Sequence, residues 1–72
     1  MKELKASMAG NVWKIMVKQG DVLEAGEDAV ILESMKMEIP IAAETSGKVK
    51  ELKVAEGDFV NEGDILVVFE SF

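Results

Sequence analysis

The sequence predicts an all-β domain of about eight short strands, arranged as two small sheets packed into a flattened barrel or sandwich. Three observations lead there. The chain repeats itself without a gap at an offset of 37 residues. Each copy reads as strand, turn, short strand, turn, strand. No window carries the uninterrupted periodicity of about 3.6 residues that marks an amphipathic helix.

Residues 10 to 33, GNVWKIMVKQGDVLEAGEDAVILE, lie over residues 47 to 70, GKVKELKVAEGDFVNEGDILVVFE. The pairs Gly10/Gly47, Val12/Val49, Val17/Val54, Gly20/Gly57, Asp21/Asp58, Gly26/Gly63, Val30/Val67 and Glu33/Glu70 are identical. Ile15/Leu52, Val22/Phe59, Leu23/Val60, Ile31/Val68 and Leu32/Phe69 exchange one apolar side chain for another. A solenoid needs at least about three stacked repeats. Two units of this size instead make one pseudo-two-fold domain spanning residues 1–72.

The elements follow in order. Val12, Lys14 and Met16 alternate with Trp13, Ile15 and Val17, the period of two that a strand requires. Gly20-Asp21 is a turn dipeptide and Gly26 punctuates again six residues later, leaving room for one short strand between them. AVIL, before Glu33, is a third strand. IPIAA, after Glu38, is a fourth, and Pro40 within it points to an edge or a strand start because proline has no N–H to donate. In the second unit Val49, Leu52 and Val54 carry the apolar side, with Lys48, Lys50, Glu51 and Lys53 between them. Gly57-Asp58 and Gly63 supply its turns.

Composition removes several functions. The chain has 72 residues, a formal net charge of -6, no Cys and no His. It therefore has no disulfide framework, no thiolate or Ser-His nucleophile and no zinc site of the usual ligands. All eight cations are lysines, so the bidentate fork that grips phosphates and reads bases is missing. An acidic surface repels nucleic acid and anionic membrane. No apolar run approaches the roughly 20 residues of a membrane span, and MKELKASM lacks a signal-peptide core. The expectation is a soluble, cytoplasmic, monomeric protein that is not an enzyme by itself.

One stretch breaks the local rules. ESMKME, residues 33 to 38, joins two strands where Asn-Gly or Asp-Gly would turn the chain more cheaply. Its tip instead carries Lys36 between Met35 and Met37. The repeat maps this break onto the gap between the chain's own ends, so the hairpin should stand at the opposite end of the molecule from both termini. The ordinary reading of a lysine is a solvated charge, and that of a methionine is a filled gap in the core. At a turn, exposed thioethers would instead form an adaptable docking surface. Nothing in the sequence around Lys36 desolvates its amine, which makes it a poor base or Schiff-base former alone. It can still be an acceptor, if a separate enzyme recognises the hairpin and acylates it. A broken rule in an otherwise consistent sequence marks a functional site.

E-S-M-K-M-E at the centre of a duplicated all-β domain resembles the biotinyl/lipoyl attachment domains, and the resemblance covers nearly the whole chain. It implies a barrel-sandwich hybrid, two four-stranded antiparallel sheets related by a quasi-two-fold, with the modified lysine in a hairpin turn. It implies that Lys36 is acylated by a biotin protein ligase through biotinyl-AMP. Covalent biotin would then act as a swinging arm between the sites of a biotin-dependent carboxylase or carboxyl transferase. Met35 and Met37 match the flanks of biotinyl domains, whereas lipoyl domains usually carry Asp and Ala there. Glu33, Ser34 and Glu38 complete the stretch a ligase would recognise. Glu33 is shared by both classes, and its repeat partner Glu70 favours a structural role for it. Gly20, Asp21, Gly57 and Asp58 are the structural turns.

The sequence departs from the family pattern at Ser34, where Ala is common, and at Met8-Ala9-Gly10, which replaces a Pro-rich entry. The gapless repeat leaves no room for the protruding thumb of some carboxylase carriers. A thumbless outline is similar to lipoyl domains, which keeps open a lipoyl carrier, or an acceptor of both biotin and lipoate ligases. An unmodified barrel-sandwich interaction module is the alternative from another class, and the retained Lys36 with both Met flanks argues against it. The related sugar phosphotransferase carriers work through a phosphorylated His, which this chain lacks.

Overall fold

The computed structural model describes residues 1–72 and contains eight strands and no helix. They are β1 (Lys2–Lys5), β2 (Gly10–Ile15), β3 (Val22–Leu23), β4 (Asp28–Ser34), β5 (Met37–Ala42), β6 (Gly47–Leu52), β7 (Phe59–Val60) and β8 (Ile65–Ser71). Two antiparallel four-stranded sheets result, in the orders β1-β8-β6-β3 and β5-β4-β2-β7. Adding 37 residues carries β2, β3 and β4 onto β6, β7 and β8 with identical boundaries, and the two sheets onto one another. This is the predicted fold, with no insertion in the first half. Pro40 lies in β5, an edge strand, as its missing N–H demands.

The core obeys the same symmetry. Of its fifteen buried apolar residues only Val17 lacks a buried mate 37 places away. The others are Leu4/Ile41, Ala6/Ala43, Val12/Val49, Leu23/Val60, Ala29/Leu66, Val30/Val67 and Leu32/Phe69. Burying each of the larger ones stabilises the fold by about 1.5–3 kcal/mol. Gly10 and Gly47 are buried as well.

The simple alternation expected in β2 does not hold. Val12 is buried, Trp13 and Lys14 are both exposed, and Ile15 and Val17 then turn inward. A β-bulge between Val12 and Lys14 is the reason: Val12 opposes Leu32 while Lys14 opposes Ile31, so Trp13 is an extra residue and the phase flips after it. The bulge recurs at Lys50, between Val49 and Glu51.

Each Gly-Asp turn is closed from within and clasps the opposite half. The Asp21 side chain accepts a hydrogen bond from the Lys18 N–H at 3.0 Å, and Asp58 does the same for Ala55 at 2.9 Å. The Gly20 N–H donates to the Val49 carbonyl at 2.9 Å and the Gly57 N–H to the Val12 carbonyl at 2.8 Å. Return bonds run from Val49 to Asp21 at 2.8 Å and from Val12 to Asp58 at 2.7 Å. Gly20 and Gly57 have φ of 94° and 97°, which only glycine adopts freely. Strand β2 therefore runs from the β4–β5 hairpin toward the turn that grips β6, and β6 begins beside Ser71 near the chain's end. Hairpin and termini lie at opposite ends.

Candidate functional site

Strands β4 and β5 pair from Asp28 opposite Ala42 up to Ser34 opposite Met37, which leaves only Met35 and Lys36 to turn the chain. Both have positive φ, 53° and 66°. Two left-handed residues in a two-residue loop are the signature of a type I′ turn, whose twist matches that of the strands it joins. An L side chain in that conformation costs about 1–2 kcal/mol per residue, and Asn-Gly would largely avoid it. The ladder below the turn holds the conformation in place, and the Lys36 side chain is projected from the very end of the hairpin.

Its neighbours are arranged around that projection. Met35 is 90% and Met37 64% exposed, so neither fills the core. Lys36 is exposed and takes part in none of the three ion pairs of the molecule. Glu33 and Glu38 are exposed and oppose each other one pair below the closing pair. Ser34 is half-buried, its Cβ turned toward Gly10. All six residues of the ESMKME stretch thus gather at one end. Gly20, Asp21, Gly57 and Asp58 stay outside this site, in the two clasping turns.

Gly10 belongs to the site's foundation, a role the repeat alone does not reveal. A Cβ there would stand 2.9 Å from the Glu33 carbonyl oxygen and 3.4 Å from the Ser34 Cβ. Its mate Gly47 is tighter still, with 2.5 Å to the Glu70 carbonyl and 2.6 Å to the Phe69 ring. The bare backbone of β2 therefore lets the strand carrying Glu33 and Ser34 approach closely. The outer face beside Glu33 also holds residues not singled out from sequence: Asn11 opposes Glu33, and Phe59 opposes Asn11.

A lone amine on a strained turn, flanked by exposed thioethers, is open to an enzyme approaching from outside. The comparisons with known proteins identify the family. The model of the biotin/lipoyl family, described as "Biotin-requiring enzyme", matches residues 2–69. The chain belongs to this family. It is 67% identical over 40 residues to the biotin/lipoyl attachment protein of Bacillus subtilis, a match covering 56% of this chain and 55% of that protein. The chain thus spans about half the length of that relative. Among solved structures, the urea carboxylase of Kluyveromyces lactis superposes with a TM-score of 0.89 at 36% identity, over 96% of this chain and 6% of that one. The lipoyl domain of the 2-oxoglutarate dehydrogenase complex from Azotobacter vinelandii superposes with a TM-score of 0.74 at 24% identity, over 93% of this chain and 95% of that domain, and shares the fold.

Proposed function

We propose that this chain is a carrier of covalently attached biotin, that Lys36 is its attachment residue, and that a biotin protein ligase is the enzyme that loads it. The observation that carries the reading is the Met35–Lys36 turn: a primary amine held on two left-handed residues, where the fold alone favours Asn-Gly. The amine is free of ion pairs and exposed, so a ligase can reach it, remove its proton and offer an acyl adenylate. Nζ then forms an amide with the biotin carboxyl carbon, the acyl–phosphate bond breaks, and AMP leaves with the electron pair. Bound biotin supplies a site that takes up and releases a carboxyl group. The chain's own part is to hold the acceptor at the end of a rigid hairpin, away from both termini. The partner this implies is a biotin-dependent carboxylase or carboxyl transferase.

Lipoate is the second reading, favoured by the shared fold with a lipoyl domain and by the absence of any insertion in the first repeat. Incubation with ATP and either biotin plus biotin ligase or lipoate plus lipoate ligase, followed by intact mass, separates the two. The expected result is one biotin adduct, lost in Lys36→Ala. An adduct with lipoate ligase alone would reverse the order of the readings, and no adduct with either would overturn both.

A further inference from the structure

The repeat supplies an internal control for the surface around the hairpin. On the outer face of the sheet distant from Lys36, Glu70 stands opposite Lys48 and lies 3.7 Å from the Lys50 amine, and Val22 ends the row opposite Lys48. The pseudo-two-fold carries Glu70, Lys48, Lys50 and Val22 onto Glu33, Asn11, Trp13 and Phe59. The register confirms an equivalent row across the other sheet: Phe59 opposite Asn11, Asn11 opposite Glu33, Glu33 opposite Glu38. Beside Lys36, then, both compensating lysines are replaced, one by a neutral amide and one by an indole. The edge valine becomes a phenylalanine.

Folding does not ask for these differences, because lysines at the matching places fit the same backbone in the second copy. The exchange leaves Phe59 63% and Trp13 41% exposed. It also leaves Glu33 without a cation while Glu38 faces it, an arrangement that destabilises a sheet. Trp13 already holds a cation, the Lys14 amine 5.3 Å from its ring centre.

We propose that this outer face, the Phe59–Asn11–Glu33–Glu38 row with Trp13 beside it, is the surface on which the ligase that acylates Lys36 docks. The inference rests on the acceptor reading of Lys36 and extends recognition from the hairpin to β2 and β7. Two arguments select that occupant. The Glu33–Glu38 pair is only about 7 Å of strand from the turn, so an enzyme that brings an acyl carbon to Nζ must cover it. An enzyme working on the far end of an attached arm need not. A site that holds an acyl adenylate is also cationic around its phosphate. Uncompensated carboxylates complement it and speed encounter, while a desolvated aromatic provides the anchor.

Steady-state acylation by biotin protein ligase, with biotin and ATP and intact mass as readout, tests this on the parent, Phe59→Ser, the double variant Asn11→Lys/Trp13→Lys and Val22→Ser. Docking predicts that KM rises about tenfold in the first two variants with kcat unchanged. Val22→Ser, at the mirror position, should keep the parent KM. Thermal melts of each chain establish that it is folded. Parent values of KM in Phe59→Ser and in the double variant would overturn the docking face and leave the acceptor reading intact. So would a fall in kcat alone. A parent chain that takes no biotin would instead remove the acceptor reading, and the docking face with it.

Discussion

Glu33 and Glu38 face each other across β4 and β5, one pair below the residues that close the Lys36 hairpin. The matching glutamate of the second copy, Glu70, faces Lys48 and is ion-paired with Lys50. The same backbone is thus electrostatically settled at one end and unsettled at the other. Two left-handed non-glycine residues sit on top of the unsettled end. Local costs concentrated at one place, in a fold otherwise consistent down to its core pairs, are what a functional site imposes.

Relieving the carboxylate pair should stabilise the protein. Glu38→Gln removes a like-charge opposition at an exposed position, so the urea midpoint should rise by the equivalent of about 0.2–1 kcal/mol. The gain should shrink as salt is added, since the pair is exposed and screened. A gain that does not respond to salt would mean that packing, not charge, is responsible.

The turn offers the same contrast more sharply. Met35→Asn with Lys36→Gly writes the preferred type I′ dipeptide into the hairpin and should stabilise it by about 1–2 kcal/mol. The proposed attachment residue is lost with it. Lys36→Ala, by contrast, keeps an L residue in the left-handed conformation and should leave stability within about 0.5 kcal/mol of the parent. Equilibrium unfolding of the three chains checks both statements. A large loss in Lys36→Ala would mean that the lysine packs against the fold.

Much of this molecule was legible in the sequence because the duplication prints every structural requirement twice. Gly20 and Gly57, or Asp21 and Asp58, are each weak signals alone, but at one fixed offset they define a turn and its place in the fold. The hairpin was legible for the opposite reason, as the one place where residue choice contradicts backbone need. The bulge at Trp13 was not, since one inserted residue shifts the phase without changing composition. The hint was the three-residue spacing from Val49 to Leu52 in the second copy, matched by Val12 and Ile15 in the first. The outer row was hidden because Phe59 meets Asn11 only through the pairing of β2 with β7, far apart in sequence. Register of that kind is fixed by tertiary packing, not by a local pattern.

Close approach of strands at the two buried glycines gives a graded prediction. Gly10→Ala places a methyl 2.9 Å from the Glu33 carbonyl oxygen, and Gly47→Ala places one 2.5 Å from Glu70 and 2.6 Å from the Phe69 ring. Overpacking of this kind costs about 1–3 kcal/mol, and Gly47→Ala should be the worse of the two. Gly10→Ala should also slow acylation of Lys36, because it pushes on the strand that carries Glu33 and Ser34. Gly47→Ala, at the far end, should not. Equal acylation rates in folded samples of both would show that the hairpin is indifferent to its foundation.

The clasping turns predict an effect that is conformational and shared by both halves. A Cβ on Gly20 or Gly57 meets nothing within 4 Å, so a side chain there is opposed only by the positive φ. Gly20→Val and Gly57→Val should each cost about 1–3 kcal/mol, and Gly20→Asn should recover part of it because Asn tolerates the left-handed region. Each turn is hydrogen-bonded to the strand of the other unit, Gly20 to Val49 and Gly57 to Val12. Strain in one turn therefore loosens its neighbour's strand rather than its own repeat. Calorimetry should accordingly show one cooperative transition in both valine variants, lowered by several degrees, at about 4–8 °C per kcal/mol for a domain of this size. Two separate transitions would mean that the repeats fold independently, and an unchanged melt would mean that the turns bear no strain.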